Sequence, residues 1–294
     1  MPGNRVWAAT GKTTHTLRTE RQAHGNLTLA KDLLVKEQNE KKAAPEKPEK
    51  KKETPMEFIS SMAVVLVTGL FIITFNLQAF EIPSSSMEQT LLIGDHVFVD
   101  RVTFAPKTSW MPLEHYRDIH RGDIVVFLSP ETPGLYVVKR IIAVPGDRIH
   151  LRDGVVHVNG VAQVEPYVRH VQPDRPDSYR DNFPAVPASQ SGIRVSPDWA
   201  LMVGMLKRGD DLVIPPDSFF GMGDNRDVSY DSRYWGFIPR ENIIGRPLFI
   251  YWSFETPGDQ YQRTAMIERV QFIGHIVLHF FDETRWSRML HLVH

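Results

Sequence analysis

The sequence predicts a mostly β protein, an antiparallel sheet core with a smaller inserted β and loop domain, carried on one apolar helix near its N-terminus. Three observations predict it. Phe58 to Leu77, FISSMAVVLVTGLFIITFNL, holds no charged residue and matches the ~20 residues that cross a bilayer as a helix. Beyond Arg101 the chain breaks into β-branched and aromatic runs separated by Gly, Asp-Gly and Asn-Gly turns. Long helical periodicity is scarce in that region.

With 294 residues, 42% of them apolar, the chain can bury one large or two small cores. A net charge of -1 argues against a nucleic-acid partner, and the absence of cysteine excludes disulfides and thiolate metal sites. The opening MPGNRVWAATGKTTHTLRTER is polar and basic, so no secretory signal is expected at Met1. A weakly helical pattern from Leu27 to Leu34 gives way to EQNEKKAAPEKPEKKKE, a solvated, disordered tether by composition.

The apolar run from Phe58 to Leu77 has a buried core helix as its alternative, but its polar side chains are confined to Ser60, Ser61, Thr68, Thr74 and Asn76. Lys41, Lys42, Lys47, Lys50, Lys51 and Lys52 precede it, while Glu81, Glu88, Asp95 and Asp100 follow before Arg101. That bias predicts a cytoplasmic N-terminus. Leu77 two places before Ala79 breaks the small-x-small pattern of a cleavage site, so the anchor is expected to persist.

Next comes Glu81 to Arg101, EIPSSSMEQTLLIGDHVFVDR, where three serines follow the apolar run. TLLIGD reads as a helical turn closed at Gly94-Asp95, and HVFVDR alternates as a strand. Ser86 and Gln89 also have capping-box spacing, so an N-cap is the plain alternative for that serine. The later strands are GDIVVFLS, LYVVKRIIAV, DRIHLRDGVVHVNGVAQV, DLVIPPDSFFGMGD and NIIGRPLFIYWSF. A Pro-, Ser- and Asp-rich stretch between Val164 and Lys207 is too irregular for core and reads as an insertion.

In YVVKRIIAV the period of two puts Val137, Lys139, Ile141 and Ala143 on one face and turns Arg140 away. Burial there would depress the lysine pKa and fit Lys139 for general-base work; a snorkelling surface lysine is the alternative. A third polar cluster, GMGDNRDVSYDSRYWG from Gly221 to Gly236, reads as a Gly-bounded loop. Local pairing among Asp224, Arg226, Asp227, Asp231 and Arg233 would make it a rigid support or a mere turn-rich connection.

In these blocks the chain resembles the bacterial type I signal peptidase family, membrane serine endopeptidases with a Ser-Lys dyad. The resemblance rests on the anchor, PSSSM, RGDIVVF, YVVKRIIAVPGD, GDNRDVSYDSRYWG and GRPLFIYWSF, in family order from Phe58 to Phe254. It implies that Ser86 is the nucleophile and Lys139 its base, a variant of the Ser-His-Asp arrangement. Ser84 and the Ser86 N-H would form the oxyanion hole, Ser229 would orient the lysine, and Asp231 with Arg233 would form a supporting ion pair. Ile82, Pro83, Met87 and Leu91 would line shallow pockets for small residues at the first and third positions before the cut. No metal or cofactor is implied. The partners would be signal peptides of exported preproteins and membrane lipid, with no nucleic acid.

The implied plan is a cytoplasmic basic tail (1–56), a transmembrane anchor (57–80), a catalytic core in two parts (81–150 and 212–257), an inserted second domain (151–211) and a C-terminal extension (258–294). The implied place is the bacterial inner membrane, single-pass, with the catalytic domain outside. Ser85 stands where many members have Gly, and Val137 where relatives often carry an aromatic. The stretch from Glu255 to Asp282, with VQFIGHIVLHFF, is too short to span a bilayer and reads as an interfacial element or an added strand pair. The histidines show no ligand spacing by sequence, HLVH included. Two rival readings stand beside it: a self-cleaving repressor-type protease, which would need a helix-turn-helix in place of the anchor, and an inactive anchored β scaffold, which the absence of Ser86 or Lys139 would favour.

Overall fold

The computed structural model describes residues 31, 33–37, 54–105, 116–172, 174 and 176–294. The expected tether falls outside these from residue 38 to 53. The chain divides into units at 1–62 and 63–294, and the division falls inside one helix. In the first unit residues 31 and 33–37 are helical, and helix α1, Pro55–Phe71, begins. Thr54 and Glu57 form a reciprocal cap, Glu57 N to Thr54 Oγ1 at 3.3 Å and Thr54 N to Glu57 Oε2 at 2.8 Å, with Pro55 in the first turn. None of the α1 side chains is buried. With a wider final turn, Ile72–Asn76, the helical span reaches 22 residues, the one such span among the described residues long and apolar enough to cross a membrane.

In the second unit, strand β1 (Leu77–Glu81) starts directly after Asn76, so the sheet claims residues 77–80 of the segment expected to be anchor. With β2 (Asp95–Asp100), β3 (Ile124–Leu128), β4 (Tyr136–Ala143), and the later β10 (Ser218–Met222), β11 (Ile238–Pro239) and β12 (Ile243–Ser253), it forms a sheet in the order β1-β2-β12-β3-β4-β10-β11. All of its pairings are antiparallel, in agreement with the predicted class. The alternation read in HVFVDR is real: Asp95, Val97 and Val99 are buried and their neighbours half-buried. β12 is long enough to pair with β3 through Ile243–Gly245 and with β2 through Arg246–Ser253, bending at three irregularities on the way.

A second antiparallel sheet, β7-β6-β5-β9-β8, uses β5 (Arg148–Arg152), β6 (Val155–Val158), β7 (Val161–Ala162), β8 (Lys207–Arg208) and β9 (Asp211–Val213). Between β7 and β8 lie two short helices, α2 (Ser178–Asp181) and α3 (Pro197–Leu206). This is the stretch read as too irregular for core, and that reading is corrected. Tyr179, Phe183 and Trp199 are almost wholly buried in one cluster with Ile142, Leu212, Phe220 and Tyr234. The Tyr179 hydroxyl and the Trp199 indole N-H both donate to the Arg233 carbonyl, at 2.6 and 3.0 Å. Aromatic side chains need no regular backbone to bury area, provided their polar atoms find partners.

After β12 the chain forms helix α5 (Met266–Leu278), preceded by α4 (Ser232–Trp235) within the polar loop. The strand-pair alternative for VQFIGHIVLHFF is therefore excluded. The C-terminal residues return to β12: Ile250 N donates to His291 O at 3.0 Å and Val293 N to Leu248 O at 2.9 Å. Val293 joins the core formed by Ile82, Met87, Leu91, Val97, Val99, Ile124, Val126 and Ile250.

Candidate active site

The serine turn is a closed loop. Ile82 N donates to Asp95 O at 2.9 Å and Gly94 N to Ile82 O at 3.0 Å, so the chain leaves β1, circles, and enters β2 beside its own departure point. Gly94 makes that closure feasible: it sits at φ +83°, and a Cβ there would stand 2.2 Å from the Phe254 carbonyl. Asp95, fully buried, braces the loop. It accepts from Leu92 N at 2.8 Å, Ser253 Oγ at 2.6 Å and Arg288 Nη2 at 2.6 Å, and Arg288 also donates to Thr90 O at 3.0 Å. The C-terminal segment thus holds the serine loop from beneath.

Ser85–Met87 form a single 3-10 turn whose N-cap is Ser84, with no side chain capping it, and Gln89 lies at φ 97°. The capping-box alternative for Ser86 fails. Its hydroxyl instead accepts a hydrogen bond from Lys139 Nζ at 2.8 Å and lies 3.3 Å from the Ser84 hydroxyl. Both groups are buried, Ser86 with 9% exposure and Lys139 with 3%.

Lys139 pairs across the sheet with Val125, and Val125, Val137 and Ile141 belong to one apolar cluster. The face predicted from the period of two is confirmed as far as Ile141; Ala143 packs in a different cluster, beyond an irregularity at Phe220/Gly221. Desolvation pulls the Lys139 pKa down to about 8 against the opposing pull of Asp231 and Asp224. Arg140 does turn to the other face, yet it is also buried. It donates from Nε and Nη2 to Asp224 at 2.9 and 2.8 Å and stacks 3.9 Å from the Tyr167 ring centroid.

The loop after β10 carries the support. Gly223 lets it approach: a Cβ there would lie 2.4 Å from the Ser86 carbonyl oxygen and 2.3 Å from Ser229 Oγ. Asn225 N donates to that same Ser86 carbonyl at 3.1 Å. Asp231 caps α4 and binds Arg233 through a doubly bonded, fully buried pair at 2.8 and 2.9 Å, while Gly223 N donates to it at 3.1 Å. Burial alone would raise the Asp231 carboxyl, but Arg233, Lys139 and the Gly223 N-H bring it below the usual range. The expected local pairing holds for Asp231 and Arg233 alone. Asp224 goes to Arg140, Arg226 to Glu165 at 2.6 Å, and Asp227 to His170 at 2.8 Å and Arg180 at 3.2 Å, so the loop is pinned to the sheet and to the insertion.

The other expected residues are placed unevenly. Ser229 is buried beside Gly223, and its hydroxyl has no hydrogen-bond partner; no bond joins it to Lys139. Ile82, Met87 and Leu91 are core residues at 3% exposure or less, and Pro83 alone of the four reaches the surface. A cleft of about 360 Å³ beside the serine turn is lined instead by Ser85, Glu88, Leu92, Ile93, Glu255, Thr256 and Arg285. Asn225 and Gly223 escaped the sequence reading of the site, while Asp224, expected to pair within its own loop, and Arg140, expected only to turn away from Lys139, were read without their contact to each other. The buried arginine had no local signal, while GMGDN marked a close approach without naming its target.

The geometry is one for acyl transfer: a hydroxyl held by a desolvated amine, with a second hydroxyl nearby. The family described as signal peptidase, peptidase S26, matches residues 55–252. "Probable signal peptidase I-2" of Synechocystis is 32% identical over 241 residues, covering 79% of this chain and 88% of its own length. Signal peptidase I of Leptolyngbya laminosa is 31% identical over 225 residues (74% and 90%). Signal peptidase I of Aquifex aeolicus is 32% identical over 231 residues (68% and 85%).

Proposed function

Because this chain belongs to the signal peptidase family, peptidase S26, we propose that it is a membrane-anchored serine endopeptidase that frees exported preproteins of their N-terminal signal peptides, cutting after small-x-small sequences with Ser86 as nucleophile and Lys139 as base. The 2.8 Å contact between the Lys139 amine and the Ser86 hydroxyl carries the reading. Neutral Lys139 takes the Ser86 proton as Oγ attacks the scissile carbonyl. The oxyanion is held by the Ser84 hydroxyl and the Ser86 N-H. Charged Lys139 then protonates the departing amine, and the neutral lysine activates water to hydrolyse the acyl-enzyme. Asp231 and Arg233 stiffen the loop behind the base, and Ser229 orients its amine, a role for which its buried, unpartnered hydroxyl is suited.

Anchoring by α1 is supported by its exposed apolar surface, which water would not tolerate over so long a helix. The lysines before it support a cytoplasmic N-terminus and a catalytic domain on the outer side of the bacterial inner membrane. The test is cleavage of an exported precursor by the detergent-solubilised chain, with sequencing of the new N-terminus. Ser86→Ala should abolish the cut and cost only about 1 kcal/mol of stability, the net worth of one hydrogen bond. Cleavage at the same bond by that variant would remove Ser86 from the mechanism.

A further inference from the structure

We propose that His275, His279 and Glu283 form a divalent-metal site of the zinc type at the C-terminal end of α5, built from residues other than those of the Ser86–Lys139 pair. His275 and His279 lie four residues apart, so their side chains project from one face of the helix, and their ring centroids are 4.5 Å apart. Past Leu278 the chain turns back and delivers Glu283 to the same place. His275 Nε2 is 2.7 Å from Glu283 Oε2, and His279 Nδ1 is 3.8 Å from Glu283 Oε1. The candidate ligand atoms of these three residues all fall within 4.8 Å of one another.

Two imidazoles and a carboxylate form a donor set zinc uses where a further position stays open. With bonds of about 2.1 Å, tetrahedral donors would sit about 3.4 Å apart, a spacing between those observed. Asp282 Oδ2, 2.9 Å from His279 Nδ1, is at hand for the fourth position, as is water. All three ligands are partly exposed, so an ion can enter without unfolding the helix.

The supports are fixed from behind. Glu255 N donates to Glu283 O at 3.0 Å, Thr284 bridges to Phe254, and the Phe254 ring stands edge-on to His275 at 6.1 Å. A bound ion would therefore clasp the last turn of α5 to the end of β12. Glu255 lines the cleft that also contains Ser85 and Glu88, so the clasp would order one wall of it.

The experiment uses the full-length chain in detergent, stripped with a chelator and titrated with zinc by calorimetry and with cobalt by visible absorption. The expected result is one equivalent bound, a cobalt band of low-coordinate character, and a zinc-dependent rise in melting temperature. His275→Ala with His279→Ala should weaken zinc binding by about tenfold or more and abolish both the band and the rise. Glu283→Gln, which keeps side-chain shape, should weaken it as well, and guards against the double variant simply misfolding. Zinc should also slow proteolytic nicking of residues 259–283 in the wild type alone. No stoichiometric binding by the wild type, or equal affinity in the double variant, would overturn the site and leave a hydrogen-bonded His-carboxylate cluster.

Discussion

Lys139 shows how one amine is tuned by its surroundings. Valine and isoleucine strip its water, and the carboxylates of Asp231 and Asp224 return only part of what was lost, leaving the pKa at about 8. Since the base acts unprotonated, kcat/KM for a peptide substrate should rise with pH along a single limb centred near 8, well below the ordinary lysine value. Lys139→Arg keeps the charge but cannot lose its proton in this range, so it should be folded and inactive; cleavage at a wild-type rate would send the search for the base elsewhere. The same depression acts on stability. Below about 8 both folded and unfolded states bind the proton and the folded state bears the full cost of a buried ammonium; as pH rises toward 10.5 that cost disappears. Lys139→Met should therefore be no less stable than wild type at pH 7 in urea melts, and any advantage should shrink by pH 10. Gly223 offers a second test. An alanine methyl there would meet the Ser86 carbonyl and Ser229, so Gly223→Ala should cost ~1–3 kcal/mol and lose activity out of proportion to that cost, whereas full activity would mean that the loop has room to retreat.

Among the elements, α5 stands apart because it has two faces of different use. Phe272, His275, Ile276 and His279 are half-buried and face the body of the protein, with Phe272 against Phe254. Met266, Val270, Ile273 and Val277 recur at helical spacing on the exposed side. Tyr261 donates to Glu81 Oε1 at 2.6 Å, which ties the approach to α5 to the end of β1, the strand that leaves the apolar helix. An exposed apolar stripe near such a tether suits the surface of a bilayer. Replacing Val270, Ile273 and Val277 by serine should reduce cleavage of membrane-embedded precursors more than cleavage of a short soluble peptide. Equal loss on both would assign the stripe to the structure of the domain.

For the molecule as a whole, the question is which side of the membrane each part occupies. The lysine cluster before α1 and the acidic residues after it predict that protease added to spheroplasts digests epitopes beyond Arg101 and spares a tag at the N-terminus. Protection of the C-terminal region would reverse the orientation and deny the site its exported substrates. Within residues 63–294 the seven-stranded and five-stranded sheets are not separate in their cores: Phe220 and Tyr234 pack with Tyr179, Phe183 and Trp199. Removing the insertion would therefore open the core that carries Asp231 and Arg233, which are joined to it through the Arg233 carbonyl.

By itself the sequence determined the apolar helix, the antiparallel β class, the family and the two residues that meet at 2.8 Å. Those features were legible because run length, a period of two and ordered motifs are local properties of the chain. Tertiary structure alone decided that Arg140 is buried against Asp224, that the serine loop rests on Arg288 from the C-terminal segment, and that Ile82, Met87 and Leu91 are core. It also made the VQFIGHIVL part of that stretch helical, though β-branched residues there suit a strand as well, and it gathered His275, His279 and Glu283 into one cluster. Periodicity tells which side chains share a face, but not which distant segment covers that face. The partner of a buried charge is chosen by long-range contact, since an ion is tolerated in the interior only where another part of the chain supplies its counter-charge.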